Sequence, residues 1–385
     1  MSFDVVDLES LRRRRSEKWT AFPPDVLPSH IAEMDFPLAG PIEDALVAAV
    51  REGDVGYAHA RASGLADAFS AFAERRWAWS LDPGGVVAVP DVMVGIAELL
   101  RVATPEGAGV VINTPVYPPF FSVIAETGRL VVEAPLLPPD SPRRLPLDAI
   151  RGAFADGARA MLLCNPHNPT GYVVDEDEVR ELGAIVSEHD GLFLSDEIHA
   201  PLTMPGVSHV PAAAIVERAI TLTSATKAWN LAGLKCGLAV AQSPRTQAAL
   251  DRLPVDLQDR VGHFGVIASV AAFTAGDEWL DELRSYLAET RRRLPELLDE
   301  HAPGVRSDPA QATYLAWLDF RSTGLGDDPA VAILERGRLS LLTGPRFGEA
   351  GRGFARLNVG TSHELVEEAV RRIGASLNQG LTPGS

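Results

Sequence analysis

Apolar positions recur in two rhythms along this chain. Over 41–53 the spacing predicts a helix, opened by Pro41 and closed by Gly53. A second helix is predicted over 64–80, with Leu65, Phe69, Phe72 and Trp79 near one face, and a third over 92–103. Short continuous apolar runs then follow at 110–112, 130–132, 160–163, 192–194, 220–222 and 238–241. They are too short for helices, and are bounded by turns or by helical patterns such as 176–189. Continuous apolar strands alternating with helices predict an α/β fold: a three-layer αβα domain whose mostly parallel sheet is covered on both faces.

After residue 260 the rhythm changes. One long amphipathic helix is predicted over 276–300, strands over 313–320, 339–342 and 354–358, and a closing helix over 363–377. This suggests a smaller α+β domain. Residues 1–40 are rich in proline and turns and lack a core of their own, so they are expected to join it. The expected division is 41–280 for the large domain, and 1–40 with 281–385 for the small one. Residues 382–385 are expected to fray.

The chain's 385 residues suffice for two cores. Its 35 basic and 52 acidic residues give a net charge of −17, which repels phosphate backbones and argues against nucleic-acid binding as a main activity. The one basic block, Arg12-Arg-Arg-Arg15, is expected to form a solvated helix face. Cys164 and Cys236 lie in apolar strand-like segments, as packed thiols do. The opening Met-Ser-Phe-Asp shows no secretory pattern, and no apolar stretch reaches the ~20 residues that span a bilayer. A cytoplasmic protein without a membrane partner is expected.

Three motifs carry chemistry. Cys164-Asn-Pro-His-Asn168-Pro-Thr-Gly171, Leu192-Phe-Leu-Ser-Asp196-Glu-Ile-His199 and Ser224-Ala-Thr-Lys227 each follow or end a predicted strand. In open α/β sheets ligands bind beyond the carboxyl ends of the strands, so Asn168, Asp196 and Lys227 can converge on one rim. Taken singly, each has a plainer reading: a turn cluster, a helix cap, a solvent-exposed cation. In this order they point to a carbonyl cofactor joined to the lysine amine as a Schiff base, with the carboxylate beneath its ring nitrogen. Gly348, Gly351 and Gly353 do not form a dinucleotide fingerprint, and are expected in a flexible loop bordering the substrate.

These residues resemble fold-type I pyridoxal-phosphate enzymes, and within them the cystathionine β-lyase (C–S lyase) branch of the class I/II aminotransferases, the MalY/PatB type. Ala32-Glu-Met-Asp-Phe-Pro37 is similar to the branch's N-terminal signature, and Thr114-Pro-Val-Tyr117-Pro-Pro-Phe120 to its ring-stacking segment. Gly276-Asp-Glu-Trp-Leu280 and Ala312-Thr-Tyr-Leu-Ala-Trp-Leu-Asp319 extend the likeness. The resemblance implies pyridoxal 5'-phosphate as cofactor, with Lys227 as Schiff-base lysine and general base. It places Asp196 at the pyridinium nitrogen, Tyr117 against the ring face, and Asn168 and His199 at the phenolic oxygen. Lys227, Asp196 and Tyr117 form the implied catalytic set.

The same resemblance assigns phosphate binding to Ser224, Lys235 and the backbone N–H groups of Val92 and Met93, with Tyr57 reaching over from a neighbouring subunit of a homodimer. Arg356 matches the arginine that binds the substrate α-carboxylate; a structural ion pair is the plainer role. Two positions depart from the pattern. Lys235 stands where many relatives have arginine, and Asp91 where glycine is usual, so a carboxylate turned inward there would oppose the phosphate. The branch implies α,β-elimination from L-cystathionine or a related L-cysteine S-conjugate. Transamination of an aromatic or other apolar amino acid uses the same residues. Some relatives also restrain a transcription factor, a third reading.

Overall fold

The structure, a computed structural model, describes residues 3–4, 7–141 and 144–378. The expected fraying of 382–385 lies outside the described residues. Seven strands make the main sheet: β1 (Val86–Val89), β2 (Gly109–Ile112), β3 (Leu130–Glu133), β4 (Ala158–Cys164), β5 (Leu192–Asp196), β6 (Ala219–Thr223) and β7 (Gly237–Val240). Their order is β1-β7-β6-β5-β4-β2-β3. From β3 to β6 every pairing is parallel, and β7 runs antiparallel to both neighbours.

All six predicted apolar runs are strands of this sheet. Alternate residues of each enter two different cores. Val110, Ile112, Leu162, Leu194 and Leu222 pack on one side, and Val111, Met161, Leu163 and Phe193 on the other. Each side chain buried this way contributes on the order of 2 kcal/mol, so both faces need a helical layer. The unpredicted strand is β1. It is short, follows Gly84 and Gly85, and lies at the sheet edge.

A four-stranded antiparallel sheet of order β10-β11-β9-β8 stands apart from the first, formed by β8 (Arg306–Ser307), β9 (Leu315–Asp319), β10 (Leu342–Thr343) and β11 (Phe354–Asn358). The run predicted over 339–342 divides: Leu339–Ser340 pairs in parallel with Leu27–Pro28, and Leu342–Thr343 joins this sheet. The long helix is Asp277–His301, and a separate helix, His263–Ala275, precedes it. The second predicted helix ends at Trp77, where Ala78 turns left-handed at φ 50°.

The arginine block departs from expectation. The helix Leu8–Arg12 ends with the first of the four, and Arg14 is half-buried and bonded to backbone instead. Residues 344–353 are likewise no loose loop. Gly344–Phe347 and Glu349–Gly351 are tight turns, so close that a side chain on Gly344 would lie 2.1 Å from the Gly351 carbonyl. Cys164 and Cys236 are both free and buried, as predicted.

Candidate active site

The carboxyl ends of β4, β5 and β6 lie side by side, with Cys164 paired in register with Asp196. Beyond β4 the loop 165–171 folds back on itself. Val174 N–H donates to Asn165 Oδ1 at 3.0 Å, and Gly171 N–H to the His167 carbonyl at 2.7 Å. Gly171 adopts φ 69°, and a β-carbon there would meet the Ala312 carbonyl at 2.8 Å, so glycine is required. Asn168, 4% exposed, is presented by this loop. Beyond β6, the turn 224–236 carries Lys227 and then reverses into β7. Trp229 closes it by donating from Nε1 to the Gly276 carbonyl at 3.1 Å.

Lys227 is half-buried, and its amine donates to the Ala32 carbonyl at 3.1 Å. Burial, with the Arg356 cation nearby, lowers its pKa from 10.5 to about 8. Asp196 is 4% exposed and accepts one hydrogen bond, from Ile198 N–H at 3.1 Å. Burial raises its pKa to about 7. No salt bridge joins Lys227 to Asp196, although each is felt in the other's titration. His199 is buried with no partner for Nδ1, and burial, with Lys227 and Arg356 nearby, drives its pKa down to about 3, so the ring is neutral.

Arg356, on β11, is 2% exposed. It donates from Nη1 to Asn168 Oδ1 at 3.0 Å and from Nη2 to the His30 carbonyl at 2.9 Å. Its guanidinium lies 5.4 Å from the Phe347 ring centroid. Nε has no partner, and no carboxylate pairs with this cation among the described residues. Burial lowers its pKa to about 10. A structural ion pair is therefore not its role. Tyr117 is half-buried; burial raises its pKa, while Arg356 opposes the rise.

The start of the helix Val92–Ala103 meets the lysine turn. Gly237 permits the approach, since a β-carbon there would lie 3.1 Å from Val92 N. Val92 and Met93 head this helix, where backbone N–H groups lack intrahelical acceptors. Asp91 caps it through Val94 N–H at 2.8 Å, and its other carboxylate oxygen lies 3.4 Å from Lys235 Nζ. The two departures from the family pattern are thus partners, and Asp91 is occupied by a cap and a cation. The Ser224 hydroxyl donates to the Cys236 carbonyl at 2.6 Å, closing the turn rather than standing free as a phosphate donor. Tyr57 is 93% exposed and hydrogen-bonds to none of these groups.

The structure thus brings Lys227, Asp196, His199, Asn168, Arg356 and Tyr117 together, with Lys235, Val92 and Met93 at one end. Sequence reasoning missed the contribution of the segment around Ala32, which acts through backbone carbonyls that no side-chain pattern marks. It also missed Tyr314, whose hydroxyl donates to the Ala32 carbonyl at 3.0 Å. Its place in the motif 312–319 was a signal.

The model of the family described as aminotransferase class I and II matches residues 48–373. A candidate cystathionine β-lyase of Mycobacterium leprae is 41% identical over 97% of this chain and 98% of its own length. The cystathionine β-lyase of Corynebacterium glutamicum is 38% identical over 96% and 99%. The crystal structure of a candidate PLP-dependent β-cystathionase from Corynebacterium diphtheriae superposes with a TM-score of 0.93 at 33% identity, covering 98% of this chain and 99% of that one. The family match over most of the chain and the likeness along nearly its whole length lead to one assignment: this chain belongs to the class I and II aminotransferase family, in its cystathionine β-lyase branch.

Proposed function

We propose that this protein is a pyridoxal 5'-phosphate-dependent carbon–sulfur lyase. It cleaves L-cystathionine or a related L-cysteine S-conjugate to thiol, pyruvate and ammonia. One observation carries the reading: a half-buried amine and a buried carboxylate face one site beyond two adjacent strands without pairing with each other. Charged groups withdrawn from water and left without a partner are costly, so each of these two calls for one.

The residues present fit the cofactor. Asp196 has spare acceptor capacity and no cation, which suits a protonated ring nitrogen. Lys227, with its lowered pKa, has an amine neutral enough to hold an aldehyde. Among the described residues no acceptor is paired with Asn168 Nδ2, which would serve the ring oxygen beside His199. Tyr117 would lie against the ring. Lys235, Ser224 and the N–H groups of Val92 and Met93 would hold the phosphate, with Ser224 having to turn from Cys236 to do so. When bound, the cofactor supplies an electron sink for the substrate's α-carbon.

The chain's own residues do the rest. Arg356 binds the α-carboxylate by its unpaired donors and so fixes which face of the α-carbon is presented. Lys227 takes the α-proton and holds it within reach of the departing sulfur. Asp196, as an anion, would pair with the ring nitrogen and favour its protonated form.

The partner and location are part of the same proposal. Exposed Val50, Val55, Tyr57 and Val255, near a cleft lined by Ala58, Ala60, Leu253 and Pro254, support a homodimer in which Tyr57 reaches a neighbour's phosphate. The free thiols support a reducing, cytoplasmic setting. Among the described residues no helix is long and apolar enough to cross a membrane. The purified protein supplied with L-cystathionine should release free thiol and pyruvate in equal amounts. Amino exchange dependent on an added keto acid, without thiol, would replace this reading by transamination.

A further inference from the structure

The segment 29–36 is gripped by one set of residues and grips another. Lys18 and Asp35, each 2% exposed, form an ion pair at 2.8 Å. Lys18 Nζ also donates to the Glu33 carbonyl at 3.2 Å. Trp19 Nε1 donates to the second Asp35 oxygen at 3.0 Å, and Arg14 to the Asp35 carbonyl at 2.8 Å. Asn230 holds Met34 by both its N–H and its carbonyl. Facing the site are two carbonyls, two residues apart. His30 O accepts from Arg356, and Ala32 O from both Lys227 and Tyr314.

A buried ion pair is a poor source of stability, because desolvation offsets the attraction; fixing one arrangement is its better-attested use. Two residues of chain span at most about 7 Å, so these carbonyls limit how far the amine and the guanidinium can separate. That is the scale of a single α-amino acid, whose α-hydrogen and carboxylate must meet the amine and the guanidinium together. We propose that Lys18 and Asp35 are positioning residues, which hold the 30–32 carbonyls and thereby set the spacing between the Lys227 amine and the Arg356 guanidinium. This rests on the lyase reading above.

The test uses the cofactor-loaded enzyme and the variants Lys18→Met, Asp35→Leu and the double variant. Each single change leaves one buried charge without its partner and should lower the melting temperature. Removing both should recover most of the loss. All three, the recovered double variant included, should raise KM for L-cystathionine about tenfold or more. The pH profile of cofactor capture by the apoprotein, which needs the neutral Lys227 amine, should also move to lower pH, because a lost carbonyl acceptor no longer favours the protonated amine. The charges facing that amine (Arg356, Glu33, Lys235 and Asp196) are unaltered in these variants, as is neutral His199.

A double variant with recovered stability and wild-type KM and pH profile would overturn the proposal. If the charge variants do not fold, Trp19→Phe decides, since it removes a single hydrogen bond to Asp35. A KM raised about threefold supports positioning, and an unchanged KM overturns it. Product analysis of the wild type separates the two claims. Release of thiol and pyruvate from L-cystathionine keeps the lyase reading whatever the variants do, and keto-acid-dependent amino exchange without thiol removes that reading instead.

Discussion

Asp196 and Glu197 are consecutive carboxylates, both buried, and they live differently. Glu197 is saturated. It accepts from Ala212 N–H at 2.8 Å and the Thr221 hydroxyl at 3.0 Å, and lies 3.1 Å from His209 Nε2. Asp196 has one backbone donor. Neighbours at a strand's end turn to opposite sides, so one chain segment feeds two environments. The side holding Glu197 is closed by the protein's own donors. The other holds Lys227, Arg356 and His199 with their partners incomplete. Burial alone thus says little about role; what separates a structural carboxylate from a reactive one is whether its hydrogen bonds are already spoken for.

The contrast can be broken in order of effect. Lys227→Ala should lower kcat about 10^4-fold and abolish borohydride-fixed cofactor, read by mass spectrometry of the intact chain. Asp196→Ala should lower kcat about 10^3-fold while the fold persists. A rate near that of wild type would remove Asp196 from the chemistry.

Its stability has a sign. The folded-state pKa of about 7 lies above the ordinary 3.8, so wild-type apoprotein loses stability as pH rises through 7. The variant lacks that loss, and between pH 5 and pH 8 its melting temperature should gain on wild type. Glu197→Ala should do the reverse, costing about 3 kcal/mol in denaturant unfolding while the folded fraction keeps its kcat within about twofold.

A gentler test is cofactor capture by the apoprotein. It needs the neutral amine, so its rate, followed by absorbance, should rise with pH to a midpoint near 8 rather than 10.5. Smallest of all, Lys235→Arg should slow cofactor loss on dialysis about threefold, since guanidinium grips phosphate in two places and the pair with Asp91 is exposed.

Much of this was readable beforehand, and the gaps have causes. The strands of the main sheet announce themselves because parallel strands buried on both faces are continuous apolar runs, as at Leu192–Asp196. β1 is as apolar, Val86-Val-Ala-Val89, but it sits between the turn residues Gly84-Gly85 and Pro90, which disguise it as part of a loop. The helix His263–Ala275 escaped for the opposite reason. Phe264, Val266, Ile267, Val270 and Phe273 leave it few polar positions from which a face could be read. At the site, Lys227, Asp196, Asn168 and Arg356 were visible because chemistry selects side chains in a fixed order along the chain. The carbonyls of His30 and Ala32 were not, since a backbone acceptor leaves no trace in residue identity. The ties between Asp91 and Lys235 and between Ser224 and Cys236 were equally hidden, because each depends on how the lysine turn meets its surroundings.

Trp229 lies against Gly276, the residue between the two long helices, where any β-carbon would come within 2.5 Å of the indole nitrogen. A swap as mild as alanine at this junction would therefore push a large ring, and that ring stands two positions from the amine. Sequence variation at the head of the long helix is thus constrained by events at a distant rim, and an engineer lengthening or re-angling that helix would be retuning the reactive centre without touching it.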